Sequence, residues 1–286
     1  MAETRIVGVA APGIALLGLG LLALSQRAPG RTRSMATERR ILPTFTALEI
    51  DYGTAVRAAR RLNRAAGTLA ASVLADSAVE HYRGSFHNKA MFAPLVTSAL
   101  SLALSVHGVA DKRPAAHWVR DVGYATVGLT GLIGTAFHIY NIRKKPGGFS
   151  WQNLFYSAPI GAPAALILSG GIGFLAERVH NNPPGTEPTI AGLSAGRVVV
   201  AATGAGIIGT VGEAGLLHFR GAYHNPFMFA PVTIPPVTAA LLSTTAFGPA
   251  RTHRPLTRWW LRLTALLGFA GIGFVTAQPT PFGAIR

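Results

Sequence analysis

The sequence predicts an all-α integral membrane protein of about eight spans, built as two tandem four-helix repeats. Three observations predict this fold. The 286 residues are 49% hydrophobic and only 13% charged, with a mean hydropathy of +0.36, whereas a soluble domain is about one quarter charged. Several apolar segments approach the roughly 20 residues that cross a bilayer. One long motif also occurs twice.

The repeated motif lies at residues 76–94 and 213–231. The first copy is DSAVEHYRGSFHNKAMFAP and the second is EAGLLHFRGAYHNPFMFAP. In the same register the copies share an acid, a His, an Arg-Gly pair, a His-Asn pair and Met-Phe-Ala-Pro. Polar residues at the ends of apolar segments are costly and usually have a role, so the repeat indicates a duplicated structure or site.

The predicted spans extend the duplication to the whole chain. They are 6–25, 65–83, 91–109, 121–141, 156–177, 196–219, 229–247 and 259–277. Residues 11–27 resemble 162–178, and 113–122 resemble 254–263, so the first repeat is 1–146 and the second is 147–286. An even number of spans gives both repeats one orientation and predicts a pseudo-two-fold axis along the membrane normal.

The distribution of Lys and Arg predicts the orientation. Basic residues, Arg120 among them, concentrate after spans 1, 3, 5 and 7, which places that side in the cytoplasm of a bacterial inner membrane, with both termini and both motifs outside. The Arg-rich segment 26–64 contains a predicted amphipathic helix, 44–64. Its basic face fits anionic lipid headgroups or is a solvated connector; the residues are Arg57, Arg60, Arg61 and Arg64.

Composition excludes several classes of function. The net charge of +15 comes without a nucleic-acid motif, so no nucleic-acid partner is predicted. The absence of Cys excludes covalent c-type haem, Cys-ligated iron–sulfur clusters and thiolate zinc sites. The first apolar segment lacks a small-residue cleavage site and is predicted to be a retained span.

Each motif predicts a helix end, a tight turn and a helix start. Gly84 and Gly221 should end their helices, and Pro94 and Pro231 suit the first turn of the next helix. The structural interpretation is that the acid and the Arg, two turns apart, form an ion pair and that His-Asn and Ala-Pro cap helix ends. These pairs are Asp76 with Arg83 and Glu213 with Arg220.

The first functional hypothesis is a b-type haem in electron transfer. His81 and His218 would approach each other from two helices as axial ligands, and Arg83 and Arg220 would bind the propionates. A weaker echo of the motif at 148–159 places His138 where it could complete the site. The protein would pass electrons between the quinone pool and a redox partner docked outside.

The second hypothesis is metal binding or transport. His87 with Met91, and His224 with Met228, stand at i, i+4 spacing, and imidazole with thioether suits copper. The acids Asp76, Glu80 and Glu213, together with four histidines, would instead suit non-haem iron or manganese. The third hypothesis is a structural membrane anchor whose motifs dock a partner protein. The sequence does not indicate an oligomeric state.

Overall fold

The computed structural model describes residues 45–111, 117–157, 160–183, 186–248 and 254–277. Within these ranges the chain forms α1 (Phe45–Arg83), α2 (Ala93–Ala110), α3 (Trp118–Lys144), α4 (Trp151–Tyr156), α5 (Gly161–His180), β1 (Thr189–Ile190), β2 (Leu193–Ser194), α6 (Ala195–Arg220), α7 (Ala230–Phe247) and α8 (Arg254–Ala277). Short 3-10 turns, Lys89–Phe92 and Pro226–Phe229, precede α2 and α7.

The described residues contain five helical segments long and apolar enough to cross a membrane. They are Lys89–Ala110, Trp118–Lys144, Gly161–His180, Ala195–Arg220 and Pro226–Phe247. The chain is therefore an all-α, multi-pass membrane protein in contact with lipid. The predicted spans 65–83 and 259–277 are helical, within α1 and α8, but are not among these five. The predicted span 6–25 lies outside the described residues.

The predicted connector helix and the predicted second span form one helix, α1. The segment is rich in Ala, Leu and Arg, which favour helix, and contains no Pro. Arg60 Nε donates to the Val109 carbonyl 2.6 Å away, near the C-terminal end of α2. This basic side chain therefore caps a neighbouring helix, which is a different role from the headgroup binding predicted for it.

Helix α5 lies at the centre of the first half and packs against both α1 and α3. A Cβ added at Gly131 of α3 would lie 2.6 Å from the backbone nitrogen of Ile167 and 2.8 Å from the carbonyl oxygen of Pro163. The backbones of α3 and α5 therefore touch, which is the close packing that small residues allow between membrane helices. Although α5 follows the predicted boundary between the repeats, it packs with the helices that precede that boundary.

Corresponding helix pairs pack in both halves of the chain. Helix α1 packs on α2 and α2 on α3, while α6 packs on α7 and α7 on α8. A Cβ on Gly67 would meet the Ser105 Cβ at 2.9 Å, and a Cβ on Gly204 would meet the Leu242 Cβ at 3.6 Å. These two contacts occupy equivalent positions of the aligned repeats. In the described part of the chain, the sequence repeat therefore extends to helix packing.

A two-residue hairpin between α5 and α6 is the one strand pairing in the described ranges. Thr189 pairs with Ser194 and Ile190 with Leu193. The intervening Ala191 and Gly192 have φ angles of 48° and 78°, as a two-residue hairpin turn requires. The sequence analysis did not predict this hairpin, because its strands are too short to show an alternating pattern.

Candidate functional site

The first copy of the motif forms a tight turn at the C-terminal end of α1. The helix ends at Arg83, as Gly84 predicts. Ser85 and Phe86 then adopt positive φ angles of 57° and 45°, a conformation that costs non-glycine residues of order 1–3 kcal/mol each. The Phe86 N–H donates to the His81 carbonyl at 3.0 Å, and this bond helps to hold the strained turn in place.

The polar residues that follow, which recur in the second copy, satisfy backbone groups of this turn. His87 Nδ1 lies 2.9 Å from the Gly84 carbonyl oxygen, and Asn88 Oδ1 accepts the Ala90 N–H at 2.9 Å. The Met91 methyl group lies against Gly84, where an added Cβ would be 3.0 Å from it. These side chains therefore cap helix ends and cover the glycine, which agrees with the structural interpretation of the motif.

The second copy has the same geometry. Its residues with positive φ, Ala222 and Tyr223, have angles of 55° and 47°. The His224 Nδ1 to Gly221 carbonyl distance is 2.8 Å, and Asn225 Oδ1 accepts the Phe227 N–H at 3.0 Å. Stacked aromatic rings close both turns, with centroids 4.5 Å apart for Phe86–Phe92 and 4.6 Å for Tyr223–Phe229. The two motifs are therefore one structural unit that occurs twice.

The histidines proposed as haem ligands are half-buried at these turns. His81 Nδ1 lies 2.6 Å from the Met91 carbonyl oxygen, so its ring is directed towards the turn of its own repeat. The His218 ring lies 6.1 Å from the Tyr223 ring, again within its own motif. In both copies the described contacts of the His are local.

The acids of the two motifs lie on α1 and α6, both of which pack against α5. The Asp76 side chain is buried, with 6% of the residue exposed, and in the part of the chain that the structure describes its Oδ2 atom has no hydrogen-bond partner. Glu213 lies within electrostatic range of Asp76. Its Oε2 atom lies so close to Gly161, the first residue of α5, that a Cβ there would overlap it. We call Asp76 and Glu213 the acid pair.

The acid pair and the histidines face different directions. His81 follows Asp76 by five residues, which on an α-helix corresponds to a rotation of about 140°. His218 follows Glu213 at the same spacing. When the two acids face each other across the repeats, each His is therefore turned well away from the line that joins them.

The motif arginines and His138 lie around this end of the bundle. Arg83 Nη1 is 4.0 Å from Glu80 Oε1, and the Arg220 guanidinium lies over the Tyr156 ring, 4.4 Å from its centroid. His138 is half-buried near the end of α3. In the ranges that the structure describes, no group of three or more His, Asp and Glu side chains is arranged to hold a metal ion.

Sequence reasoning missed a buried ionic cluster at the opposite end of the bundle. Arg120, 2% exposed, has its Nη1 atom 2.9 Å from Asp111 Oδ2 and its Nε atom 2.8 Å from Glu177 Oε1. Glu177 is fully buried. His117 Nε2 lies 2.8 Å from the same Asp111 oxygen, and Arg120 Nη1 also donates to His107 Nδ1 at 3.0 Å. We call these five residues the ionic cluster.

The ionic cluster joins α2, α3 and α5 with two carboxylates and one guanidinium. The sequence analysis counted Arg120 as one of many cytoplasmic basic residues. One signal was present, since Glu177 is an acid within an otherwise apolar span, where a charge usually has a partner or a function.

Comparisons of this chain with protein-family models, with curated proteins and with solved structures found no match. The function is therefore argued from the acid pair, the motif turns and the ionic cluster.

Proposed function

We propose that this chain binds a divalent cation between Asp76 and Glu213 and carries it across the membrane. The observation that supports this proposal is the buried Asp76 carboxylate, whose Oδ2 atom has no hydrogen-bond partner among the described residues and which lies within electrostatic range of Glu213. An ionised carboxylate only accepts hydrogen bonds, and its burial without a partner costs several kcal/mol. A cation held between the two carboxylates offsets that cost.

The donor set favours a hard cation. Carboxylate, carbonyl and water oxygens suit Mg²⁺, Ca²⁺ and Mn²⁺, and such ions commonly keep several waters beside one or two carboxylates. Among the metals that the sequence suggests, manganese fits the acid pair best. The His and Met side chains that would suit copper have capping and packing contacts in the motif turns.

The proposed architecture is two tandem four-helix repeats related by a pseudo-two-fold axis that passes between the equivalent residues Asp76 and Glu213. The like packing of corresponding helix pairs supports this arrangement. We place the protein in the inner membrane of a bacterium, with the Arg-rich segments in the cytoplasm and both motifs outside. The acid pair then lies near the outer face and the ionic cluster near the inner face.

The tandem repeat predicts a contact for the first span, which lies outside the described residues. Ser169 Oγ donates to the Ala66 carbonyl at 2.9 Å. In the aligned repeats, Gly18 corresponds to Ser169 and Thr203 corresponds to Ala66. We expect Gly18→Cys and Thr203→Cys to cross-link in oxidised membranes. The chain has no other Cys, so only the engineered pair reacts. The pair Ser169→Cys with Ala66→Cys is the positive control, and cross-linking of Gly18→Cys to Ala66→Cys would contradict the repeat.

Neutralising the acid pair tests the proposed site. We expect the purified protein to bind Mn²⁺. Electron paramagnetic resonance and calorimetry measure this binding. Asp76→Asn or Glu213→Gln should each weaken binding at least about tenfold, since each removes a direct ligand. The control is Asp121→Asn, which removes a carboxylate 2.6 Å from Arg178 in the half of α3 away from the acid pair. Equal affinity in the wild-type protein and the Asp76→Asn/Glu213→Gln double variant would exclude the site.

The haem hypothesis with His81 and His218 stays a prediction. The geometry favours the acid pair, because His81 is directed to Met91 of its own turn. An oxidised-minus-reduced visible spectrum of the same purified sample distinguishes the haem hypothesis from the cation site. A Soret band would favour haem, whereas a sample with neither haem nor bound metal would favour the structural anchor.

A further inference from the structure

Gly161, the first residue of α5, lies against the carboxylate of Glu213 on α6. A Cβ added at Gly161 would overlap Glu213 Oε2 and would lie 2.9 Å from Cδ and 3.0 Å from Oε1 of the same side chain. All three carboxylate atoms are therefore nearer than the roughly 3.5 Å of an ordinary van der Waals contact. Among the glycines that the structure describes, Gly161 is the one that meets a carboxylate.

The backbone does not require a glycine at this position. Gly161 is helical, and the described glycines with positive φ are Gly147, Gly148 and Gly192. Glycine is also less favourable than alanine in a helix. The space that the missing side chain leaves for the Glu213 carboxylate accounts for a glycine here.

Helix α5 cannot move away from Glu213 to make room for a larger residue. Gly161 and Pro163 are two residues apart and face nearly opposite sides of the helix. On the Pro163 side, α5 is in contact with α3. A Cβ added at Gly131 would be 2.8 Å from the Pro163 carbonyl oxygen, and one added at Gly134 would be 3.3 Å from the Pro163 Cβ. A methyl group at Gly161 must therefore displace the Glu213 carboxylate, which is the end of a flexible side chain.

The first repeat has the reciprocal combination of side-chain sizes. Asp76 corresponds to Glu213 and is shorter by one methylene group. The Ala-Pro pair that the repeats share aligns Ala10 with Gly161, so the residue of the first repeat is larger by one methyl group. Ala10 lies outside the described residues, and the two repeats are compared at this position by sequence alone. The longer acid goes with the smaller residue in one repeat, and the shorter acid with the larger residue in the other.

We propose that Gly161 is a positioning residue of the cation site, because it lets the Glu213 carboxylate lie where the cation binds. This inference rests on the function proposed above, since the cation is the one between Asp76 and Glu213. The contact between Gly161 and Glu213 does not depend on a cation. A residue that fixes the orientation of a metal ligand typically affects metal affinity about 10–100-fold.

The variant Gly161→Ala tests the positioning role. We expect it to bind Mn²⁺ about tenfold more weakly than the wild-type protein, because the added methyl group displaces one ligand. Its resistance to unfolding by dodecyl sulfate should stay close to that of the wild-type protein, because a flexible side-chain end moves and the backbone does not. The matched control on the same helix is Gly171→Ala. Within the described ranges no atom of another helix lies within 4 Å of a Cβ added there, so Mn²⁺ affinity should be unchanged.

A shorter acid should rescue Gly161→Ala. The double variant Gly161→Ala/Glu213→Asp gives the second repeat the pair of side chains that the first repeat has. It should bind Mn²⁺ more tightly than Gly161→Ala or Glu213→Asp alone, because the two changes compensate for each other in size. Losses that simply add in the double variant would overturn the positioning role.

The contact is also tested without metal. The chain has no Cys, so Gly161→Cys introduces the only thiol. The thiolate is the reactive form, and a carboxylate beside it disfavours that form. In buffer with a chelator, N-ethylmaleimide should therefore label Gly161→Cys/Glu213→Ala faster than Gly161→Cys.

The outcomes separate the two proposals. A wild-type protein that binds no Mn²⁺ would overturn the cation site, and with it the role of Gly161 there, even where labelling depends on Glu213. Mn²⁺ binding that is unchanged in Gly161→Ala, or labelling that is unaffected by Glu213→Ala, would overturn the positioning role and leave the cation site.

Discussion

Replacing Arg120 by Leu should destabilise the folded protein by about 3–5 kcal/mol. The substitution leaves the buried carboxylates of Asp111 and Glu177 without the guanidinium that contacts both of them, at 2.9 Å and 2.8 Å. Shape is not the reason for the expected loss, because the aligned position of the second half is Leu261, which is 6% exposed in an apolar core. The expected cost arises from uncompensated buried charge.

The measurement is unfolding in mixed detergent with increasing dodecyl sulfate, followed by circular dichroism. Arg178→Leu is the matched control on the same bundle. Arg178 lies 2.6 Å from Asp121, but its side chain is 43% exposed. Because an exposed ion pair contributes only about 0–1 kcal/mol to stability, this variant should lose little. The triple variant Arg120→Leu/Asp111→Asn/Glu177→Gln should recover much of the loss, because its carboxylates are neutral. Equal loss in the single and triple variants would show that packing, not charge, sets the stability.

Helix ends were predictable from the sequence because they are set locally. The predicted span 196–219 is observed as Ala195–Arg220, and 229–247 as Ala230–Phe247. Gly221 follows the first of these helices and Pro231 lies in the first turn of the second. A helix breaker and a residue suited to a helix start act within a few residues, so a single sequence shows them.

The ionic cluster was not predictable because its charges come from three helices. Asp111, Arg120 and Glu177 are far apart in the chain or separated by a loop, and only the packing of α5 against α3 brings them together. From sequence alone, Arg120 near the start of a span is indistinguishable from the basic residues that set membrane orientation.

The acid pair was predictable in its residues but not in its partners. The motif identified Asp76 and Glu213, and helical spacing suggested an arginine two turns away as the partner of each. The structure instead places Glu213 against Gly161 at the start of α5, while Arg83 contacts Glu80 and Arg220 contacts Tyr156. Arg83 and Arg220 are the last residues of their helices, where side chains turn to the surface.

Glycines on one helix differ in whether another helix lies against them: within α6, Gly204 lies against Leu242 and Gly206 against Leu168. Gly131 touches the backbone of α5, whereas within the described ranges no atom of another helix lies within 4 Å of a Cβ added at Gly209 or Gly212. A small residue permits close approach without requiring it. The partner of a glycine-rich face depends on the arrangement of helices, which periodicity does not show.

Of the glycine-to-alanine substitutions in α3, each of which adds one methyl group, Gly131→Ala should therefore destabilise the folded protein most. Its Cβ would lie 2.6 Å from the Ile167 nitrogen and 2.8 Å from the Pro163 oxygen, and backbone atoms of a helix cannot turn aside as a side chain can. Helices α3 and α5 must separate, which costs about 1–3 kcal/mol for an overpacked core and more where backbone must move. Because the ionic cluster joins the same two helices, separation should also weaken the contact of Arg120 with Glu177.

Gly128→Ala is the matched control for Gly131→Ala. It lies one turn earlier on the same helix, and its added Cβ would have only Gly170 Cα nearby, at 4.0 Å. Ala also favours helix over Gly by about 1 kcal/mol, so this variant should be as stable as the wild-type protein or more stable. Both are measured by the same dodecyl sulfate titration. Equal stability of the two variants would show that α3 and α5 do not touch through their backbones.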